Sequence, residues 1–235
     1  MIPAAFEYDV AESVDHAVEL LGQGGGDTKL LAGGHSLIPA MKLRIARPAK
    51  LVDIGRLADL AYVKDAGTHV AIGALTRHAA VAADRLLQEH CPIVSFTAGQ
   101  IGDPPVRHYG TLGGTLSHGD PASDMPAVML ALGGEIVARG PSGERTIPAT
   151  EFFTGVFETA LAPDEVLVEA RVPKLGASTG WAFLKANRRA QDWATVGVAA
   201  LVHRDNGTVA GASIGLVNMG ATPLRAKAAE DALAA

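Results

Sequence analysis

The chain has 235 residues, of which 48% are hydrophobic, so it can bury a sizeable core in one large domain or in two or three small ones. Its formal net charge of −5 gives no basic footprint for nucleic acid. Its one cysteine, Cys91, excludes a disulfide framework and a cysteine-ligated iron–sulfur cluster within the chain. A redox protein of this composition needs an organic cofactor, or clusters carried by a partner.

The sequence lacks the signals of export or membrane insertion. Residues 1–16 carry acids where a signal peptide would have basic residues followed by an apolar run. No stretch reaches the ~18 uninterrupted apolar residues that a membrane span needs. We therefore expect a soluble, cytoplasmic protein whose association with the inner face of a membrane would depend on partners.

The first predicted elements form an α/β unit. Ser13 precedes apolar residues at helical spacing that stop at Gly22, which predicts a capped helix. After the glycines at 24–26, residues 29–32 form a short apolar run that ends in glycine, as a buried strand does. This strand leads into the sequence AGGHS at 32–36.

The AGGHS segment has the composition of an anion-binding turn. Glycine has no Cβ, so the N–H groups of Gly33 and Gly34 can approach an anion closely, and the hydroxyl of Ser36 follows. A plain tight turn would explain the same residues. The spacing is neither that of a P-loop nor that of the GxGxxG dinucleotide motif.

The next elements are predicted from alternation and helical spacing. Residues 50–54 indicate a strand, and residues 62–73 alternate about a glycine turn as a hairpin does. Residues 76–90 predict one helix with Thr76 as its cap, and residues 92–98 a shorter one. Three histidines in this region lack the spacing of metal ligands and are interpreted as surface or packing residues: His69, His78 and His90.

A second glycine motif, GTLGGTLSHGDPASD, occupies residues 110–124. Its glycine pair at 113–114 lies between the hydroxyl residues Thr111 and Thr115, and the motif ends on Asp124. We expect this segment, like the first, to turn bare peptide nitrogens towards an anion. Two such turns predict one long ligand with two phosphates.

The two motifs, AGGHSLIP and then GTLGGTLSHGDPASDMPA, resemble those of the FAD-binding subunit of molybdenum hydroxylases, the family of aerobic carbon monoxide dehydrogenase and xanthine dehydrogenase. The resemblance extends from about Pro3 to the end of the chain. It implies an α+β protein with the vanillyl-alcohol-oxidase (PCMH-type) FAD-binding fold. FAD would be bound non-covalently and would carry electrons, while the substrate is transformed in another subunit.

The rest of the chain indicates strands, helices and a C-terminal sheet. The predicted elements are a helix over 125–132 capped by Ser123 or Asp124, a hairpin over 135–148, a short helix over 148–153, strands over 166–172 and 181–187, a hairpin over 195–218, and a final helix capped at 222–223. Residues 174–180 have the composition of a linker. The final helix ends at Ala235, where family members still have a helical tail, so we expect a C-terminal domain that is truncated or incompletely ordered.

We therefore expect three parts. Residues 1–55 form an N-terminal FAD-binding subdomain, residues 56–174 a central FAD-binding subdomain, and residues 175–235 a C-terminal domain of the carbon monoxide dehydrogenase flavoprotein type. FAD is expected to lie between the first two parts.

The resemblance implies which residues bind FAD. Those assigned to the pyrophosphate are Ala32, Gly33, Gly34, His35, Ser36 and Leu37 on one side, and Thr111, Gly113, Gly114 and Thr115 on the other. Family members usually carry Asn where this chain has Thr115, so a hydroxyl replaces a carboxamide. Covalent attachment through His35 is disfavoured, because the family binds FAD without a covalent bond.

The remaining assigned side chains each have a second interpretation. Asp124 is implied to hold ribose hydroxyls, although an acid there also caps a helix. Ile101 and Leu167 are implied to pack against the flavin, and Ile101 fits a core position equally well. Lys185 is implied to place a cation at the flavin edge, where it would stabilise the reduced ring, although a lone lysine is usually solvated.

The implied chemistry is electron transfer, with no catalytic acid or base and no metal in this chain. A molybdenum-containing large subunit and an iron–sulfur small subunit would carry the molybdenum cofactor and the 2Fe–2S clusters, in a dimer of heterotrimers. FAD would pass electrons to an acceptor such as a quinone, NAD or oxygen. Residues 188–194 favour the carbon monoxide dehydrogenase type, which converts CO and water to CO2.

Three alternatives remain open at this point. The partner could instead oxidise a purine or an aldehyde, as in xanthine-type enzymes. A self-contained FAD oxidase is disfavoured, because no separate substrate domain and no nicotinamide motif are evident. A scaffold subunit with a decayed flavin site is disfavoured by the intact glycine motifs, and FAD binding by the purified protein distinguishes it.

Overall fold

The computed structural model describes residues 2–234, which form three main β-sheets with helices packed between and around them. The first sheet is parallel, with its strands in the order β1-β3-β2. Its strands are β1 (Glu7–Val10), β2 (Thr28–Leu31) and β3 (Lys50–Asp53). Parallel neighbours need crossover connections, and helices α1 (Val14–Gly24) and α2 (Leu37–Lys42) lie within them.

Helix α1 forms as predicted, with Ser13 at its start. The Oγ of Ser13 accepts a hydrogen bond from the backbone N–H of His16 at 3.0 Å, which satisfies one of the free donors of the first turn. One face of the helix is buried and packs against the parallel sheet and the next sheet, through Ala17, Val18, Leu20 and Leu21.

The second sheet is antiparallel and has the strand order β4-β5-β10-β6-β7. Its strands are β4 (Val63–Asp65), β5 (His69–Gly73), β6 (Glu135–Gly140), β7 (Gly143–Pro148) and β10 (Val166–Pro173). Strand β10 pairs with β5 on one side and β6 on the other, so the latest strand in the sequence forms the middle of the sheet.

Six helices connect β5 to β6. They are α3 (His78–Ala83), α4 (Arg85–His90), α5 (Pro92–Gly99), α6 (Pro104–Tyr109), α7 (Leu112–His118) and α8 (Asp124–Leu132). All nine residues of α8 are buried, because α8 packs against α5 and α7 as well as against the third sheet. The helix ends at Gly133, whose φ of 64° suits glycine.

The third sheet is antiparallel, in the order β11-β12-β13-β14. Its elements are β11 (Thr179–Ala186), β12 (Val196–Asp205), β13 (Thr208–Val217), β14 (Leu224–Arg225) and the helix α10 (Lys227–Leu233). A short helix and a two-stranded ribbon precede β10: α9 (Ala149–Phe152), β8 (Phe153–Gly155) and β9 (Glu158–Thr159).

Several predicted elements differ from the structure. The helix predicted over residues 76–90 is two helices, because Asp84 caps α4 by accepting from the N–H of Leu87 at 3.0 Å. Thr76 caps neither, since its hydroxyl donates to the carbonyl of Tyr62. Ser123 makes no side-chain cap bond to α8. The final helix begins after β14, so the cap predicted at 222–223 is wrong.

Two kinds of feature are absent from residues 2–234. In that range no helix is both long and apolar enough to cross a membrane. The same residues contain no group of three or more His, Cys, Asp or Glu side chains arranged to hold a metal ion.

Candidate functional site

One cleft of about 900 Å³ is lined by residues from the parts of the chain that form each of the three sheets. A volume of this size suits a cofactor-sized ligand. Every residue predicted to bind FAD lines it: Ala32, Gly33, Gly34, His35, Ser36, Leu37, Ile101, Thr111, Gly113, Gly114, Thr115, Asp124, Leu167 and Lys185. The two glycine motifs therefore face one cavity, although almost eighty positions separate them in sequence.

The first glycine segment, residues 32–36, follows β2 and leads into α2. Gly34 has a φ of 72°, a left-handed conformation that favours glycine. Among the described residues, the backbone N–H groups of residues 33–37 donate to no other protein group. Ser36 stands at the start of α2 without a side-chain cap bond. This segment therefore presents free N–H donors and a hydroxyl, as predicted.

The second glycine segment is the start of α7 and not a loop. Thr111 is the N-cap residue, and its Oγ1 accepts from the N–H of Gly114 at 3.1 Å. The N–H of Gly113 donates to the carbonyl of Ala74, and that of Thr115 to the carbonyl of Thr111. The expectation that this segment also offers bare peptide nitrogens is wrong, because capping and packing already satisfy them. This segment instead lines the cleft with its glycine backbone and with the hydroxyl groups of Thr111 and Thr115.

The two segments touch directly. A Cβ on Gly33 would collide with the backbone carbonyl of Tyr109, immediately before the second motif. The ring of His35 stacks on that of Tyr109, with centroids 5.4 Å apart and planes 8° apart. The guanidinium of Arg77 donates to the same carbonyl oxygen of Tyr109. Glycine at position 33 is what permits this approach.

Apolar side chains form another wall of the cleft. Leu167 lies on β10 at an irregularity in its pairing with β6, and it is 4% exposed. Ile101 is half-buried and packs against the main core while lining the cleft, so both interpretations of this residue hold geometrically. Trp193, which was not predicted, also lines the cleft and is largely exposed.

The structure pairs two predicted residues that had been assigned separate roles. Lys185 Nζ on β11 lies 2.7 Å from Asp124 Oδ2 at the start of α8, and both side chains are buried. Burial raises the pKa of the Asp124 carboxyl, and the Lys185 cation opposes that rise. The second oxygen, Oδ1, is buried without a hydrogen-bond partner among the described residues. A buried carboxylate with a free oxygen suits a ligand hydroxyl.

Two histidines of the cleft were missed as site residues. His78 is 1% exposed, and its Nε2 lies 2.9 Å from Oγ1 of Thr115. Burial lowers the pKa of His78 to about 4, and the nearby Arg107 adds to this. His118 also lines the cleft, and burial lowers its pKa. Isolated histidines carry no sequence signal of such contacts, which depend on the fold.

The donor set fits FAD in three ways. Free backbone N–H groups with a glycine in the left-handed conformation suit a pyrophosphate. The unpaired oxygen of Asp124 suits a sugar hydroxyl. The apolar wall at Ile101 and Leu167 suits the planar ring.

Comparison with protein families agrees with this fit. Residues 4–175 match the model described as the FAD binding domain in molybdopterin dehydrogenase, and residues 181–234 match the CO dehydrogenase flavoprotein C-terminal domain. The chain therefore belongs to the FAD-binding subunits of the molybdopterin dehydrogenase family, and it is a subunit of an FAD-dependent oxidoreductase. The predicted family, fold class and FAD cofactor are confirmed.

Within that family the chain is similar to carbon monoxide dehydrogenase medium chains. It is 45% identical to that of Hydrogenophaga pseudoflava over 225 residues, which cover 96% of this chain and 78% of that one. A solved structure of the carbon monoxide dehydrogenase from that organism, lacking the Mo-pyranopterin moiety, matches with a TM-score of 0.97 and 48% identity, covering 99% of this chain and 81% of that one.

Other relatives are subunits of dehydrogenases named for different substrates. Subunit alpha of the 6-hydroxypseudooxynicotine dehydrogenase complex of Paenarthrobacter nicotinovorans is 41% identical, covering 99% of this chain and 79% of its own. The xanthine dehydrogenase FAD-binding subunit of Escherichia coli O157:H7 is 30% identical, covering 95% and 77%. The carbon monoxide dehydrogenase type therefore fits better than the xanthine type.

Proposed function

We propose that this chain is the electron-transfer subunit of an aerobic carbon monoxide dehydrogenase. It takes electrons from a 2Fe–2S subunit and passes them through FAD to an external acceptor such as a quinone. The observation that carries this proposal is the single cleft onto which both glycine segments open. The choice of CO over other substrates is supported by the 45% identity to a carbon monoxide dehydrogenase medium chain.

In this proposal the N–H groups of residues 33–37 and the hydroxyl of Ser36 hold the pyrophosphate from one side. Thr111 fixes the first turn of α7 on the other side, where Gly113 packs closely against Ala74 and Gly114 lines the cleft. Thr115 supplies a hydroxyl. Binding is non-covalent in this proposal, as the family resemblance implies, and the ring of His35 stacks on Tyr109 with its Nδ1 3.0 Å from the carbonyl oxygen of Gly33.

When bound, FAD supplies one- and two-electron redox chemistry. The chain's own residues bind the cofactor, orient it and shield it from water. Lys185 and Asp124 act as a pair, in which the lysine supplies a cation near the flavin edge and Oδ1 of the aspartate accepts from ribose. Ile101 and Leu167 pack against the ring and exclude water. No residue of this chain is proposed as an acid or base.

The proposed assembly follows from the need for other redox centres. One buried cysteine cannot hold a cluster, so we assign the iron–sulfur and molybdenum centres to a small and a large partner subunit. We propose a dimer of such heterotrimers in the cytoplasm, meeting the inner membrane face only through its partners. Residues 1–55, 56–174 and 175–235 are proposed as the three domains, with FAD between the first two.

Co-purification and anaerobic reduction test this proposal. The chain is expressed with its genomic neighbours, the complex is isolated, and the absorbance of the flavin is followed while CO, xanthine or an aldehyde is added without oxygen. CO is expected to bleach the flavin, and xanthine is expected to have no effect. Bleaching by xanthine or an aldehyde alone would contradict the assignment to CO but not FAD binding. A colourless chain that does not take up FAD would support the scaffold alternative.

A further inference from the structure

His78 is a buried titratable side chain that the roles above leave unused. It begins α3, it is 1% exposed, and it lines the cleft beside the first turn of α7. Its single hydrogen-bond contact in the described chain joins Nε2 to Oγ1 of Thr115 at 2.9 Å. Thr115 Oγ1 in turn has no second hydrogen-bond partner among residues 2–234. Among these residues the two side chains therefore hydrogen-bond only to each other.

The first turn of α7 has no backbone donor to spare for a ligand. In this turn the N–H of Leu112 donates to the carbonyl of Thr76, and the N–H of Gly113 donates to the carbonyl of Ala74. The N–H of Gly114 donates to Oγ1 of Thr111, and the N–H of Thr115 donates to the carbonyl of Thr111. An anion on this side of the cleft must then find its donors among side chains. Thr115, half-buried at the cleft wall, is placed to be one.

The surroundings of His78 decide which ring nitrogen carries the proton. Nδ1 is buried and has no hydrogen-bond partner in the described chain. A neutral imidazole has one N–H, and an N–H at Nδ1 would be a buried donor without an acceptor, which is costly. A proton on Nε2 instead donates to Thr115 Oγ1. Burial and Arg107 keep the pKa of His78 low, so the ring is neutral near pH 7.

Resting on the proposed FAD site, we propose that His78 is a positioning residue for the FAD pyrophosphate. It donates from Nε2 to Oγ1 of Thr115 and thereby directs the hydroxyl hydrogen of Thr115 into the cleft, towards an anionic oxygen. A hydroxyl has one hydrogen, so the opposite tautomer would draw that hydrogen to His78 and turn lone pairs towards the phosphate. The histidine thus converts a threonine into a fixed donor.

The first test is equilibrium binding of FAD to the purified full chain, measured by flavin fluorescence. His78→Leu removes the donor and is expected to weaken FAD binding about tenfold, and Thr115→Val is expected to do the same. His78→Gln keeps an N–H donor at the distance of Nε2 and should restore most of the affinity. In a Thr115→Val background, His78→Leu should cause little further loss, because the histidine acts through the hydroxyl.

The matched control is His90→Gln, the same substitution at a histidine outside the cleft. It should leave FAD affinity unchanged. Equal losses in His78→Gln and His78→Leu would overturn the proposal, as would losses at positions 78 and 115 that simply add. Melting temperatures of each variant identify any that fail to fold.

A second test needs no FAD, and the only variant it uses is His78→Gln. Long-range ¹H–¹⁵N spectra of the histidine rings in the wild-type chain report the tautomer, and the signal missing from His78→Gln assigns His78. We expect the Nε2-protonated form from pH 6 to pH 8. The Nδ1-protonated form would overturn the proposal even if FAD binds. If wild type fails to bind FAD, the proposed function fails, whichever tautomer is seen.

Discussion

Alanine at position 33 is the sharpest perturbation of the contact between the two glycine segments. Gly33 does not have a positive φ, so its backbone accepts alanine without strain, and the effect arises from the added methyl group alone. That methyl group would overlap the carbonyl oxygen of Tyr109 and lie 3.0 Å from Cα of Gly110. Both are backbone atoms, so the two segments must move apart.

The expected magnitude follows from overpacking and lost hydrogen bonds. Forcing a methyl group into packed backbone costs about 1–3 kcal/mol of the free energy of unfolding. At this chain length, 1 kcal/mol lowers the melting temperature by about 2–4 °C. Displacing the free N–H groups of residues 33–37 from an anion removes at least one charge-assisted hydrogen bond of about 1.5–3 kcal/mol. FAD affinity should therefore fall about 10- to 100-fold.

Calorimetry of the apo chain and fluorescence titration with FAD measure the two effects. Gly22→Ala is the matched control, because Gly22 lies in α1, outside the cleft, and an added Cβ there meets nothing within 4 Å. It should raise stability by up to ~1 kcal/mol and leave FAD binding unchanged. If Gly33→Ala binds FAD as tightly as wild type, close approach of the two segments is not what forms the site.

The remaining predictions concern stability, each measured by urea unfolding. Lys185→Met should lower the free energy of unfolding by about 3–5 kcal/mol, because it leaves the Asp124 carboxylate buried without its cation. The double variant Asp124→Leu/Lys185→Met should recover most of that stability but not FAD binding. If the double variant recovers no stability, the two side chains do not act as a charge pair. In Gly215→Ala the added methyl group meets the backbone of Ala127 in α8, so the free energy of unfolding should fall by about 1–3 kcal/mol. In Gly211→Ala, on the same strand, the added methyl group meets nothing within 4 Å. Equal urea midpoints for the two variants would refute this packing. The pKa of His78 is lowered from 6.5 to about 4, so as pH falls the unfolded chain takes up a proton at this residue before the folded chain does. The free energy of unfolding should therefore drop by about 3 kcal/mol from pH 6.5 to pH 4. If His78→Gln shows the same dependence of stability on pH as wild type, His78 is not its cause.

The elements that the sequence predicted well are those whose signals are local. Ser13 and the apolar spacing after it specify α1, and the Asn206–Gly207 turn, with positive φ at both residues, specifies the hairpin of β12 and β13. The strands β2, β3 and β10 follow from apolar runs bounded by glycine or proline. The two glycine motifs and their order located the cleft.

What the sequence did not reveal depends on tertiary contacts. Gly113 and Gly114 are poor helix formers, which favours a loop, yet they start α7 because Gly113 packs against Ala74 and Thr111 caps the turn. Through the same contacts, the N–H groups of Gly113 and Gly114 already donate hydrogen bonds within the protein. The pairing of Lys185 with Asp124 spans 61 residues, and that of His78 with Thr115 spans 37. Asp84, in contrast, is a capping residue that local rules could have identified.

A crystal structure of the chain with FAD tests the central claim most directly. We expect the pyrophosphate within hydrogen-bond distance of N–H groups from residues 33–37 and of the Thr115 hydroxyl, with a ribose hydroxyl on Oδ1 of Asp124. A pyrophosphate that contacts only one of the two glycine segments, or that lies outside the cleft, would contradict the account.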